Sequence, residues 1–448
     1  MALSAVEPAV PLDLDSGRHI EYSSGLDLST ANFAQMESPK LSSPSWKEAA
    51  SEYKATHPDE VSPRIRTQPS ENGAARTTSI RCRLAQLPWE LPFSISLHYL
   101  AEGAANIVFG LQPFTDTAST HIPVVFVGVR GTVYPRNVFL NSVIRISKGL
   151  DKTLSGQQVK SDFELEIEPL FDTRDPGKNF LEHLLSLEMI ALEPSVLSIL
   201  NQEIQEHSQR WKGKIAGGTI GLLMEDMSTS PGKTLTIEVK PKWLAQSPNA
   251  PKDAKRCRTC ALQALKNKKK QDSDVYICPL QMHAGNADII KPWIAQKVRE
   301  VADEFPERVA DAVQAKITQT MTEYLVDGKG HQLLSHIRET QLDLDKSGAL
   351  EQPTSTNAER RDFNHDLRLA MTLRDCSLFI QVDITEDRFN IQSKLGDLDF
   401  KSAAKIKDWK DKENELNEGG WYGDRGAVEW AYGDCLQAYV GQEPAPVE

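Results

Sequence analysis

No stretch of the 448-residue sequence reaches the run of about eighteen apolar residues that a membrane span requires. The opening MALSAVEPAVPLDLDSG has neither the basic start nor the apolar core of a secretory leader. A soluble protein of the nucleus and/or cytoplasm is expected, with no membrane insertion. The six cysteines, Cys82, Cys257, Cys260, Cys278, Cys376 and Cys435, are too few and too scattered for a disulfide framework, which agrees with a reducing compartment. Cys257 and Cys260 have metal-ligand spacing, but no second Cys or His pair stands at finger-like distance. They read as two ordinary thiols, and no structural zinc is expected. Positive charge is also short. A net charge of −12 argues against a nucleic-acid binder, because phosphate-backbone affinity needs accumulated Lys and Arg. One segment runs the other way: between Lys252 and Lys270 lie Lys252, Lys255, Arg256, Arg258, Lys266, Lys268, Lys269 and Lys270 against the single acid Asp253. Such a run is a solvated face or an anion site.

A hydrophobic content of 40% over this length supplies cores for two or three domains. Residues 1–80 are rich in Ser, Pro, Ala and Glu without apolar periodicity and read as a disordered tail. From Trp89 the pattern changes. SISLHYLAEGAANIVFGLQPF reads as strand, small-residue turn and strand, and IPVVFVGVRG and NSVIRISKGL as further strands. Residues 180–211 carry apolar positions at helical spacing with a break at Pro194, which predicts one or two helices. TIGLLMEDMS and TLTIEVKPKW are strands. Beyond residue 245, segments 291–304, 307–326 and 361–374 read as helices, the last leading into the strand CSLFIQVDI, with a surface loop over DKSGALEQPTSTNAERRD. The expected fold class is α/β (α+β): a strand-rich N-lobe over 85–230 and a larger mixed C-lobe over 231–440. Ligands prefer domain interfaces, so a cleft is expected there.

Five features carry chemistry. Glu102-Gly103-Ala104-Ala105-Asn106 is a small-residue turn where backbone N–H groups can approach phosphates; a tight hairpin that needs Gly for its backbone is the other reading. Arg145 interrupts the apolar strand VIRI and needs an anion, either a structural carboxylate or a nucleotide phosphate. In EVKPK, alternation puts Glu238, Lys240 and Lys242 on one side of an extended segment, with Pro241 enforcing extension at Lys240. Two neighbouring lysines repel unless an anion lies between them, although an edge strand guarded by Lys and Pro has the same appearance. Asp375 stands at a helix-to-strand junction in LRDCSLFIQV, and Asp397 and Asp399 lie in GDLDFK. Carboxylates at strand ends suit Mg²⁺ binding or proton abstraction, and equally helix or turn capping.

Taken in order, GAAN, VIRI, LLMEDMS, IEVKPKW, RDCSLFI and DLDFK resemble the inositol-pentakisphosphate 2-kinase family, with matches spread over about residues 99–405. The resemblance implies a two-lobed inositol phosphate kinase-like fold that uses ATP and Mg²⁺ to phosphorylate inositol 1,3,4,5,6-pentakisphosphate at its 2-hydroxyl. Nothing in the sequence suggests more than a monomer. The resemblance also implies that Gly103, Ala105 and Asn106 cover the nucleotide phosphates and that Arg145 is the N-lobe cation. Glu225 and Asp226 would form the hinge facing adenine and ribose, with Glu238 near the ribose. Lys240 and Lys242 would contact inositol phosphates, Lys240 close to the reacting hydroxyl. Asp375 would orient or deprotonate that hydroxyl, Asp397 would hold Mg²⁺, and Lys401 and Lys405 would grip further phosphates. The absence of an HRD-type loop and of a DFG triplet argues against a protein kinase.

The sequence also departs from the family. Plant members carry a His/Cys zinc site before the DCS strand, whereas residues 340–362 contain neither Cys nor His. The substrate-binding RxxMHQ-like segment appears as Arg256-Cys257-Arg258-Thr259-Cys260-Ala261, with Arg256 kept and Cys260 at the histidine position. PLDL appears as Pro279-Leu280-Gln281, an amide replacing a carboxylate. Arg210 is the candidate N-lobe substrate arginine. These departures leave a second reading, a weakly catalytic scaffold that binds inositol polyphosphate.

Overall fold

The computed structural model describes residues 80–83, 94–114, 127–128, 142–150, 153–173, 179–423 and Cys435, except 193, 209–210, 212, 218, 271–275, 306–308, 354–362 and 386–388. The tail 1–79 and Arg210 therefore lie outside the described residues. The chain divides into two compact units. Among the described residues, one unit takes those up to Ser161 and then Ser186–Asp226, and the other takes Asp162–Leu185 and those from Met227 onward.

The first unit is built on one antiparallel sheet of seven strands: β1 (Ile80–Arg83), β2 (Ser94–Glu102), β3 (Asn106–Phe114), β4 (Val127–Gly128), β5 (Ser142–Ser147), β6 (Leu187–Ala191) and β7 (Ile220–Glu225). Their order is β1-β2-β3-β5-β7-β6-β4. Alternation on β3 turns Ile107, Phe109 and Leu111 to one face, where Ile144 and Ile146 of β5 join them. The helix Pro194–His207 covers that face with Val196, Leu197, Leu200 and Ile204, spaced three and four apart. This helix begins at the predicted proline, which fits a first helical turn because its missing N–H has no partner to lose. The apolar positions before it do not form the expected helix. Leu187–Ala191 is a strand pairing β7 from Leu187↔Met224 to Ala191↔Ile220, because a short apolar run takes whichever partner tertiary structure offers its backbone.

The second unit holds a three-stranded antiparallel sheet of β8 (Thr234–Val239), β9 (Ser377–Asp383) and β10 (Ile391–Gly396), in the order β10-β9-β8. Helices Ala287–Ala302, Asp311–Val326, Lys329–Leu344 and His365–Leu373 supply most of its helical mass. Leu333, Leu334 and Ile337 are fully buried, as are Ile317, Met321 and Leu325. A further helix, Ile406–Glu418, packs Leu416 with Trp421 and Tyr422 against Ala261 and Leu265 of the helix Arg258–Lys270. Among the described residues, no helix is long and apolar enough to cross a membrane.

Candidate active site

Because β8, β9 and β10 are antiparallel neighbours, the end of β8, the start of β9 and the end of β10 share one end of the sheet. The register pairs Val239 with Leu378 and Ser377 with Gly396. Glu238, Lys240, Ser377 and Asp397 are thereby brought together, although the sequence separates them widely. Close packing requires glycine at 396: a Cβ there would lie 2.8 Å from the Phe379 ring.

Ser377 sits at the centre of this group. Its hydroxyl donates to Glu238 Oε1 at 2.6 Å, accepts from Lys240 Nζ at 2.9 Å and lies 3.1 Å from Asp397 Oδ2. Lys240 also reaches Glu238 Oε1 at 3.2 Å and Asp397 Oδ2 at 3.6 Å. Burial alone would depress the Lys240 ammonium, but Glu238 and then Asp397 outweigh it and hold the group above the ordinary lysine value.

A second group adjoins it in the chain. Asp375 receives Lys401 Nζ on Oδ2 at 2.6 Å and has Lys242 Nζ 3.6 Å from Oδ1. Burial would raise this carboxyl, yet Lys401 and Lys242 together hold it below the ordinary aspartate value. The neighbouring Cys376 thiol is fully buried and donates to Leu373 O at 3.1 Å, and burial pushes it up to about 12, which disfavours the thiolate.

Lys242 does not continue the strand as alternation predicted. It adopts φ 54°, and Asp397 adopts φ 55°, two of the three non-glycine residues in the left-handed region among the described residues. Such a conformation costs a lysine about 1–2 kcal/mol. The helix Lys329–Leu344 holds it there: Gln341 Nε2 donates to Lys242 O at 2.9 Å, and Gln341 Oε1 accepts from Leu244 N at 3.1 Å. Lys240 pairs with Glu238 and Asp397 and Lys242 with Asp375, whose carboxylate also feels the charge of Lys240. Lys401 is placed by the helix His365–Leu373, where Thr372 Oγ1 accepts from Lys401 N at 3.1 Å and Arg368 Nε donates to Lys401 O at 2.7 Å.

Arg374, just before Asp375, is buried and paired with Asp345 at 2.5 Å, with its guanidinium 3.5 Å from the centre of the Trp243 ring. Lys405 pairs with Asp408 at 3.3 Å. Arg256 is buried, and its Nη1 donates to Trp421 O at 3.4 Å.

In the first unit, the turn Gly103–Asn106 joins β2 to β3. Gly103 has no left-handed backbone, and the nearest atom to an added Cβ would be Asn106 O at 4.0 Å. The hairpin does not need glycine for its own backbone, so the reading based on backbone need fails. Lys148, which the sequence reading passed over, ties the turn down: its Nζ donates to Gly103 O at 2.7 Å and pairs with Glu102 at 3.2 Å, while its backbone N donates to Ala105 O at 2.8 Å. Arg145 is buried in β5 opposite Val108 of β3 and Leu222 of β7. Glu225 closes β7 opposite Ser142, and Asp226 is the last residue of the first unit.

The cysteines require a correction. Cys257 and Cys260 are joined by Cys278 and Cys435, all four buried with their sulfurs within 4.8 Å of one another. The partners that sequence spacing did not reveal are supplied by the fold.

Lysines paired with carboxylates around a strand-end hydroxyl are a set of groups suited to binding anions and moving protons, the two demands of phosphoryl transfer. A family model described as inositol-pentakisphosphate 2-kinase matches residues 99–415, and the chain belongs to that family. It is similar to an inositol-pentakisphosphate 2-kinase of Yarrowia lipolytica, 31% identical over 226 residues that cover 46% of this chain and 66% of that protein. It is also similar to an inositol-pentakisphosphate 2-kinase of Debaryomyces hansenii, 24% identical over 208 residues covering 41% of this chain and 50% of the relative. The matches thus span just under two thirds of one relative and half of the other.

Proposed function

We propose that the protein transfers the terminal phosphoryl group of ATP to the 2-hydroxyl of inositol 1,3,4,5,6-pentakisphosphate, giving inositol hexakisphosphate and ADP. The observation that supports this most is Asp375 held between Lys242 and Lys401, next in the chain to the group around Ser377. Five phosphates bring a charge of roughly −8 to −10, and binding them calls for several lysines. Lys240, Lys242 and Lys401 are the cations that this reading assigns to the acceptor.

The same lysines that bind phosphates quench Asp375 in the unliganded protein. A polyanion competing for Lys242 and Lys401 withdraws their charge from the carboxylate and raises its proton affinity. Asp375 then takes the proton of the attacking hydroxyl as the new phosphorus–oxygen bond forms and the bond to ADP breaks.

Asp397 offers a hard oxygen donor and stands beside Ser377, a donor set that fits Mg²⁺. When bound, the metal supplies neutralisation of charge on the transferring phosphates. For the nucleotide, Gly103 leaves room at a turn held rigid by Lys148, a suitable surface for phosphate oxygens. Glu225 and Asp226 are assigned to the base and ribose, with Glu238 near the ribose and paired with Lys240 at 3.2 Å.

The reading is tested by incubating the protein with ATP, Mg²⁺ and inositol 1,3,4,5,6-pentakisphosphate and resolving products by anion exchange. A product with one more phosphate is expected. Tight, salt-sensitive binding without turnover would replace this reading with that of a polyphosphate-binding scaffold.

A further inference from the structure

Cys257, Cys260, Cys278 and Cys435 come from three places in the chain. Cys257 lies 21 residues from Cys278 and 178 from Cys435. None of the four is exposed beyond 2%. The Cys257 and Cys278 sulfurs are 3.9 Å apart, and all pairs lie within 4.8 Å. A disulfide needs about 2.05 Å, so these are not bonded pairs. A tetrahedral zinc with zinc–sulfur bonds of about 2.3 Å sets its sulfurs about 3.8 Å apart, which is the spacing of the Cys257–Cys278 edge.

Simple apolar packing of thiols does not explain the donors aimed at them. The backbone N of Cys257 donates to Cys435 Sγ at 2.8 Å, that of Cys260 lies 3.4 Å from Cys257 Sγ, and the Tyr276 hydroxyl is 3.1 Å from Cys260 Sγ. N–H groups pointing at sulfur favour the thiolate, the form that binds metal. Cys257 directly precedes the helix Arg258–Lys270 and Cys260 lies in its first turn, where the helix dipole favours negative charge.

We propose that these four cysteines form a structural zinc site. Zinc is the metal that four thiolates in a tetrahedral set favour, and four protein ligands leave no open position for catalysis. The site fastens Cys435 to the segment carrying Arg256 and Arg258. That segment already receives the preceding residues: Lys255 N and Arg256 N donate to Tyr422 O at 2.9 and 3.0 Å, and Arg258 pairs with Glu413 at 3.0 Å.

The test is elemental analysis of the full chain, purified without chelator and exhaustively dialysed. About one zinc per chain is expected, released on titration with a mercurial that caps thiols. Replacement by cobalt in the growth medium should give the tetrahedral d–d bands and thiolate charge-transfer absorption of a four-sulfur site. Cys278→Ser and Cys435→Ser should each reduce the zinc content at least severalfold and lower the melting temperature. Where a variant does not fold, the wild-type zinc content and cobalt spectrum decide. Metal-free protein whose four cysteines titrate as free thiols, or whose mass shows two disulfides, would overturn the proposal.

Discussion

Ser377 Oγ donates to Glu238 Oε1 across 2.6 Å while accepting from Lys240 Nζ at 2.9 Å, so a single hydroxyl sets both an acid and a base of the site. A serine hydroxyl has one proton to give and lone pairs to receive, and this arrangement uses both. Ser377→Ala removes hydrogen bonds to charged partners, each worth about 1.5–3 kcal/mol. The expected outcome is a fall in kcat of about tenfold or more, with the fold retained by circular dichroism. An unchanged kcat would show that Lys240 is placed by its carboxylates alone.

The Asp375 carboxyl lies below its ordinary value of 3.8, chiefly because Lys401 and Lys242 outweigh burial. Lys401→Ala removes the stronger of these two interactions, so the pKa of Asp375 rises. The acid limb of the pH profile of kcat/KM, which reports the free enzyme, should move to higher pH. The stability that this pairing contributes is present above the unfolded pKa and is lost as pH falls through the lower folded one. Wild type and variant should therefore converge in melting temperature in acid below 3.8. An unmoved acid limb would remove Asp375 from the role of base.

Lys242 holds φ 54° for the sake of where its ammonium points. Lys242→Gly relieves about 1–2 kcal/mol of backbone strain and loses about 0.5–1 kcal/mol to unfolded-chain entropy. Stability should therefore be unchanged or slightly raised, while the KM for inositol pentakisphosphate rises about tenfold, the loss of one charged hydrogen bond. A loss of stability with unchanged KM would make this lysine a structural residue only.

Asp345 accepts from Arg374 and, through Oδ1, from Gly348 N at 2.8 Å, all in the interior. Burial lowers the Arg374 guanidinium to about 10 despite this partner. Breaking a buried pair from one side leaves an uncompensated charge and costs about 3–5 kcal/mol. Asp345→Ala should destabilise by that order in chemical denaturation, and because Arg374 precedes Asp375 it should reduce kcat as well.

Much of this arrangement was legible in the sequence where local pattern and chemistry agree. The hairpin around Gly103 reads directly from two apolar strands and a small-residue turn, and Asp375 and Asp397 lie at the strand ends where the sequence pattern put them. What was missed depends on long-range contact. Ser377 lies two positions after Asp375 in the motif that drew attention to the latter, but its role requires the β9–β10 register that pairs it with Gly396. Gln341 lies on a helix that the sequence pattern did not predict, and its significance comes from donating to the Lys242 carbonyl 99 residues away. The left-handed turn at Lys242 cannot be inferred from alternation, which predicts extension. The four cysteines show the same limit, since Cys257 and Cys435 meet across 178 residues.

The proposed transfer is tested most directly by comparing wild type and Asp375→Asn in a single turnover with ATP, Mg²⁺ and inositol 1,3,4,5,6-pentakisphosphate, with the new phosphate located by phosphorus and proton NMR. The wild type should place it on the 2-oxygen, and the variant should bind nucleotide normally but turn over about 10²–10⁴-fold more slowly, the contribution of a positioned base. A phosphate at any other position, or a variant as fast as wild type, would contradict the assignment of this site.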